Sequence, residues 1–452
     1  MGPRFGLFAC CLVLGALGAS VLPGFGAAGA PAGQVADGPL DVSDCVRLAL
    51  GRNPSVLNAR ENVKESSGQA LTALSSFVPS ISTRASYNRR IQGPQEYFIP
   101  SFDLTLLTPR VSSEDWSYSV SASQSLMDVS QFGQVLGTRA SVRAMRHSFE
   151  AARQDIAYQV RLQFYELLKA VKLAEVSKGA KDLSQDELNR AQALFDVGSV
   201  AKGDVLKAEV QLSQSTLDLI AADNTVKLER SKLAKLMGLS VDTEIQITED
   251  LGEETSSVSP GDAFALASAR RPDLQAAREN STAADRSAFS SMSALLPSLT
   301  GSVTYSWSAN AFPNTASDHE RNYAWDIGVG LRLPIFDGSL TIANIRQAKA
   351  RAAIANNQLR DAELQVALDV KQAVLTLAEA TERIKVSKSG LASAEEDYRL
   401  SREKYDLGSG TMLELVDAQV NLSRARSSYV DALASLREAE ALFGRATGEP
   451  IR

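Results

Sequence analysis

The sequence predicts a mainly α-helical chain with a small membrane β component, built from one helix–β-hairpin–long helix–helix unit that occurs twice. Three observations carry this expectation. A stretch of about 200 residues recurs within the chain, as an internal duplication requires. All 15 prolines fall at 3–109, 260–334 or 450, leaving two long tracts free to be helical. Ahead of each tract, helical periodicity gives way to strict alternation, the mark of half-buried strands.

The N-terminus comes first. Residues 1–28 have the layout of a secretory signal peptide: Arg4, an apolar run from Phe5 to Leu22, then small residues around Gly26 to Ala30. Its removal takes Cys10 and Cys11 and leaves Cys45 alone, so no internal disulfide is expected. No other stretch has the roughly 18 apolar residues of a spanning helix, so any membrane passage must use strands.

The duplication follows. Pro54-Ser-Val-Leu-Asn-Ala59-Arg60-Glu61-Asn62 returns as Pro272-Asp-Leu-Gln-Ala-Ala277-Arg278-Glu279-Asn280. The register holds through Pro79/Pro297 and Tyr87/Tyr305, then resumes with Asp128/Asp337, Phe195/Tyr405, Gly198/Gly408, Asp204/Glu414, Ala208/Ala418 and Gly238/Gly448. The expected division is a first repeat at 29–238, a connector at 239–259 and a second repeat at 260–452. Each unit opens with a helix bearing an early proline, tolerated only near a helix start or break.

Strands are expected at about 80–127 and 298–335. Positions 81, 83, 85 and 87 are apolar or large, and Trp116, Tyr118, Val120, Ala122 and Leu126 alternate with serines. Leu299, Val303, Tyr305 and Trp307 alternate with Ser and Thr, and Tyr323, Trp325, Ile327, Val329, Leu331 and Leu333 repeat the pattern. A soluble half-buried sheet alternates in the same way. Against it stand strands of about ten residues, the length that crosses a bilayer at a tilt. The three tryptophans, Trp116, Trp307 and Trp325, all lie in these strands, as a membrane-interface girdle requires. Residues 92–113 and 309–321 are expected to be polar external loops. Four strands cannot close a barrel, since closed outer-membrane barrels begin at about eight. Unpaired edge groups in lipid cost several kcal/mol each, so the hairpins imply an oligomer sharing one barrel.

Proline-free residues 129–194 and 338–404 then suit helices of roughly 100 Å. In the helices after them, Val205, Ala208, Leu212, Ser215, Leu219, Ala222, Val226, Glu229, Leu233 and Leu236 keep coiled-coil spacing, as do Leu415, Ala418, Leu422, Ala425, Tyr429, Ala432, Leu436, Ala439, Phe443 and Ala446. A second, weaker stripe (Leu206, Val210, Leu217, Ile220) suggests contact with two neighbours.

Between the helices lie two turns, Phe195-x-x-Gly198 followed by Asp204 and Ala208, and Tyr405-x-x-Gly408 followed by Glu414 and Ala418. With these motifs in duplicate, the chain resembles the TolC-like outer membrane efflux proteins over about 41–448. The resemblance implies a homotrimer, with a 12-stranded β-barrel in the outer-membrane lipid continuing into a periplasmic α-helical barrel. Residues 239–259 would belong to its equatorial region. The turns at about 195–204 and 405–414 would be the periplasmic tip, with Phe195, Gly198, Tyr405 and Gly408 docking a membrane fusion protein linked to an ABC or proton-driven inner-membrane pump. Glu414 and Asp417 would line the periplasmic gate, with six carboxylates in a trimer favouring cations. Thr411 and Glu414 also have capping-box spacing, which gives the glutamate a purely structural role. Asp204 and Tyr405 occupy matching positions in a polar clamp, although Gly410 replaces the arginine often found there.

Composition narrows the rest. A net charge of −6 offers no basic surface for nucleic acid. Two histidines and three cysteines leave little for a metal site, and neither His147 nor His319 accompanies a nucleophile. No phosphate-binding loop follows a strand. The expectation is a non-enzymatic exit duct without cofactor, serving tripartite efflux or type I secretion. The alternative is a periplasmic coiled-coil adaptor or scaffold without a pore.

Overall fold

A computed structural model of the chain describes residues 38–248, 251–252, 263–310 and 320–449. The expected signal peptide with Cys10 and Cys11, His319 and part of the 239–259 connector lie outside the described residues. The first unit runs α1 (Val42–Arg52), α2 (Pro54–Ser75), β1 (Ser80–Gln92), β2 (Gln95–Ile99), β3 (Leu104–Thr108), β4 (Val111–Met127), α3 (Val129–Asp196) and α4 (Lys202–Leu236). The second runs α5 (Ala263–Arg270), α6 (Pro272–Ser293), β5 (Ser298–Ala309), β6 (Tyr323–Arg332), α7 (Leu340–Asp406) and α8 (Met412–Thr447).

The opening helix of each unit is two helices. Proline disfavours helical backbone in the residue before it, and Asn53 and Arg271 sit at ψ 125° and 119°, with Pro54 and Pro272 starting the next helix. Asn53 caps α2 by accepting from Ser55 N at 2.8 Å, and its amide donates to Leu236 O at 2.8 Å. The joint is duplicated. Gly238 and Gly448 turn at φ 70° and 71° against the ends of α1 and α5. A Cβ on Gly238 would stand 2.7 Å from Arg52 O, and one on Gly448 3.1 Å from the Arg270 carbonyl carbon. Only glycine fits that approach.

α3 and α7 run 68 and 67 residues, about 100 Å at 1.5 Å per residue. The aligned Asp128 and Asp337 serve their starts, accepting from Ser130 N at 2.9 Å and from Thr341 N at 2.9 Å. The main core lies where α1, α3, α4 and α8 converge on Phe164, Leu167, Leu233 and Leu436, with Cys45 fully buried beside them. The α8 seam is buried at Leu415, Ala418, Leu422, Ala432, Leu436, Ala439, Phe443 and Ala446, and the α4 seam at Ala208, Ser215 and Leu233. The second α4 stripe (Leu206, Val210, Leu217, Ile220) is exposed on the single chain.

The four long strands form one antiparallel sheet ordered β1-β4-β5-β6, which leaves β1 and β6 as open edges. Among the described residues no helix is long and apolar enough to cross a membrane. One expectation fails. Residues 92–113 are not a polar loop: β2 and β3 pair from Gln95↔Thr108 to Ile99↔Leu104 as a separate ribbon carrying Tyr97, Phe98, Phe102, Leu104, Leu106 and Leu107. Its Gly and Pro residues mark the ends of the ribbon, and the apolar run between them alternates as a hairpin does.

Candidate functional site

The tip is two helical hairpins laid together. In each, the long helix ends in a Schellman motif. Gly198 N donates to Phe195 O at 2.8 Å and Ser199 N to Leu194 O at 2.8 Å. Gly408 N donates to Tyr405 O at 3.0 Å and Ser409 N to Lys404 O at 2.9 Å. Both glycines take the left-handed conformation this requires, at φ 77° and 71°. Gly410 has its own steric reason. Its N–H donates to Lys404 O, and a Cβ there would stand 3.0 Å from Lys404 Cβ.

Beneath the turns Ala191, Ala208, Tyr398, Tyr405, Met412, Leu415, Ala418 and Leu422 form one apolar cluster joining the hairpins. The structure does not bring Asp204 and Tyr405 into a hydrogen bond. Asp204 pairs with Lys207 at 3.2 Å, while Tyr405 is buried in the cluster with its hydroxyl unpartnered. Burial pushes the Tyr405 phenol up, and the charges of Asp204 and Glu187 push the same way.

Glu414 forms the capping box: its N–H donates to Thr411 Oγ1 at 3.2 Å and its carboxylate accepts from Thr411 N at 3.1 Å. Glu414 and Asp417 both lie on the exposed side of α8. Phe195 is exposed beside its turn, whereas its counterpart Tyr405 is inside.

Sequence reasoning missed the polar joints between the hairpins. Tyr398 Oη on α7 donates to Glu187 Oε1 on α3 at 2.8 Å, and the other Glu187 oxygen is buried without a partner. Burial holds this carboxyl above its ordinary value, against the pull of Tyr398, Arg190 and Arg402. Arg190 pairs with Asp406 across the same interface. Deeper, Gln419 Nε2 on α8 donates to Ser184 Oγ on α3 at 2.7 Å, and Ser184 meets Ser215 Oγ on α4 at 2.8 Å. The available signal was Ser215, a polar residue at a seam position.

The sheet has two unlike faces. On one, Ser80, Ser82 and Ser86 meet Ser123, Ser121 and Ser117 at 2.9, 3.0 and 2.7 Å. On the other, cross-strand aromatics form a band: Tyr87 against Trp116, Tyr118 against Trp307 and Tyr305 against Trp325, with ring centroids 4.3, 5.5 and 5.0 Å apart. Trp307 is 2% exposed inside this band and Trp325, on the free edge strand, 60%. The apolar face continues along β6 through Ile327, Val329 and Leu331, all exposed.

An exposed apolar band on an edge-open sheet, carried on rods about 100 Å long, defines the class: a membrane β-structure with a helical extension. The sequence profile of the outer membrane efflux protein family matches residues 45–239 and again 264–449, and the chain belongs to that family. The outer membrane protein TolC of Vibrio cholerae is 23% identical over 412 residues, covering 88% of this chain and 90% of that protein. Among solved structures, VceC of Vibrio cholerae superposes with a TM-score of 0.77 at 19% identity, covering 91% of this chain and 97% of that one. CusC superposes with 0.81 at 17% identity, covering 90% and 92%. These structural similarities establish the fold. The protein is an outer-membrane exit duct for efflux or secretion, seated in the outer membrane and extending into the periplasm.

Proposed function

We propose that three copies form one 12-stranded barrel, continuous with a periplasmic tunnel of α3, α4, α7 and α8, through which cargo passes passively. The observation that carries this is the open sheet. β1 and β6 each present an unpaired edge beside an apolar face, and in lipid each unsatisfied edge group costs several kcal/mol. Three four-stranded sheets joined edge to edge remove every free edge. The exposed α4 stripe supports the same assembly, as do Leu364, Leu368 and Leu375 exposed on α7. Each set of apolar residues needs a neighbour to cover it.

In this assembly the serine-rich face lines a wet lumen, and Trp116, Trp307 and Trp325 sit at the membrane interface. The two turns, with Phe195, Gly198, Tyr405 and Gly408, dock a periplasmic membrane fusion protein coupled to an inner-membrane pump. Glu414 and Asp417 stand at the narrow periplasmic end as a carboxylate ring that selects cations. Asp204 and Tyr405 contribute to keeping the tip shut through the packing of the hairpins rather than through a bond to each other. The repeats and connector at 29–238, 239–259 and 260–452 are the units of this architecture, after a leader at 1–28.

Single-channel recording in planar bilayers tests the gate. Replacing Glu414 and Asp417 together by Ala should raise conductance and lower cation preference, while Glu414→Gln should keep the capping hydrogen bond and lose only its charge. Unchanged selectivity in both variants would remove these residues from the conduction path.

A further inference from the structure

The β2–β3 ribbon is the feature that a duct does not explain. Its large apolar side chains stand in solvent: Tyr97 69%, Phe98 54%, Phe102 79%, Leu104 50%, Leu106 48% and Leu107 65% exposed. Tyr97 faces Leu106 and Ile99 faces Leu104 across the ribbon, so these four share one face. A two-stranded hairpin alone is marginal in water, and a contiguous apolar patch marks a contact surface. The ribbon needs a cover.

Its attachment is a double hinge. The β1–β4 ladder ends at Gln92↔Val111, and β2–β3 pairing restarts at Gln95↔Thr108. Between them lie Gly93-Pro94 on one side and Pro109-Arg110 on the other. Proline supplies no N–H, so the ladder cannot run through. The ribbon is therefore joined to the rim by backbone without ladder pairing.

Lipid is disfavoured as the cover. Between the aromatic band and the ribbon, residues 88–92 and 111–115 form a collar containing Arg89, Arg90, Glu114 and Asp115, with Arg89 and Glu114 paired at 3.6 Å. Five residues of strand span about 16 Å, a rise of about 12 Å at a tilt of about 40°, which lifts the ribbon clear of the interface marked by the tryptophans. The remaining neighbour is another copy. Given the trimeric barrel proposed above, on which this inference rests, β1 lies at the seam with the next protomer, and three ribbons surround one mouth. Twelve strands spaced about 4.8 Å apart and tilted about 40° enclose a radius of about 12 Å. Five paired residues reach about 17 Å, enough to span from wall to axis.

We propose that the three β2–β3 ribbons fold over the external mouth and bury their Tyr97–Ile99–Leu104–Leu106 faces against one another, closing the duct from outside independently of the periplasmic tip. The contact is apolar, so it yields to outgoing cargo and re-forms without a chemical trigger.

The test uses the full-length trimer in outer-membrane vesicles and planar bilayers. In Phe102→Cys on the tip-opened Glu414→Ala/Asp417→Ala background, mild oxidation should link neighbouring chains and cut conductance severalfold, with reductant restoring it. Cys45 is fully buried, and the unsubstituted protein is the control. In the tip-opened Glu414→Ala/Asp417→Ala background, adding Tyr97→Ser/Leu104→Ser/Leu106→Ser should raise conductance severalfold further with the trimer intact. Absence of cross-links together with unchanged conductance, in a protein shown to be trimeric, would overturn the external closure and leave the barrel standing. Quenching of a dye on Phe102→Cys by brominated acyl chains would also overturn it, by placing the ribbon in lipid. Lack of any trimer in the unsubstituted protein would overturn the barrel and this inference together.

Discussion

Tyr398→Phe probes how the two hairpins are held together at the tip. The change deletes one hydroxyl from a buried site and leaves the ring in the cluster. Glu187 then loses its 2.8 Å hydrogen bond, and neither carboxylate oxygen keeps a partner at that position. Leaving a buried polar group unsatisfied costs about 1–3 kcal/mol. At 1.36 kcal/mol per decade, that raises the population of the locally open tip about 5- to 160-fold. A membrane-embedded protein of this size has no simple two-state unfolding, so the readout is amide hydrogen exchange. Exchange should accelerate by that factor in residues 183–191 and 391–405 and stay unchanged in the sheet. The pH dependence has a definite sign. Burial lifts the native Glu187 value above the ordinary 4.5, so its contribution to tip stability is complete below 4.5 and is lost as pH rises through the native value. Arg190, Arg402 and Asp406 surround it, and only Asp406 adds to the rise. Corrected for intrinsic exchange, the tip should be better protected at acidic than at alkaline pH, and Glu187→Gln should flatten the difference. Equal loosening of tip and sheet in Tyr398→Phe, or none anywhere, would refute the reasoning.

Other consequences are as direct. Gly198→Val and Gly408→Val force a branched residue into the left-handed region at about 1–2 kcal/mol or more each, and should impair export while leaving trimer yield unchanged by native gel. Val210→Lys/Leu217→Lys places charge on the exposed α4 stripe and should lower trimer yield without changing α-helical circular dichroism. Glu438 is pushed up to about 7 by burial first and by neighbouring Glu166. Its stabilising contribution is therefore full below 4.5 and lost as pH rises through about 7. Thermal inactivation of the wild type should quicken across that interval, and Glu438→Gln should remove the step.

The parts legible in the sequence were those governed by periodicity and backbone constraint. Pro54 and Pro272 marked helix breaks, Gly198 and Gly408 the left-handed turns, and the alternation from Tyr323 to Leu331 a strand with one apolar face. Pairing between distant segments was hidden. Nothing local in Glu187 or Tyr398 tells that two hairpins bring them to 2.8 Å, because that contact depends on how the hairpins pack together. Tyr405 was legible as a turn aromatic, but its burial depends on α8 and α3 closing over it. The ribbon failed for a different reason. Its Gly and Pro residues signal a loop, whereas Tyr97, Ile99, Leu104 and Leu106 between them alternate as strands do, so the two local signals conflict.

Native mass spectrometry of the protein extracted gently from outer membranes addresses the shared barrel most directly. The account expects a single species containing three chains, stable in detergent and retaining its β signal. A lone chain that kept its four-stranded sheet folded in a bilayer would contradict it, since the edges of β1 and β6 would then be satisfied without neighbours.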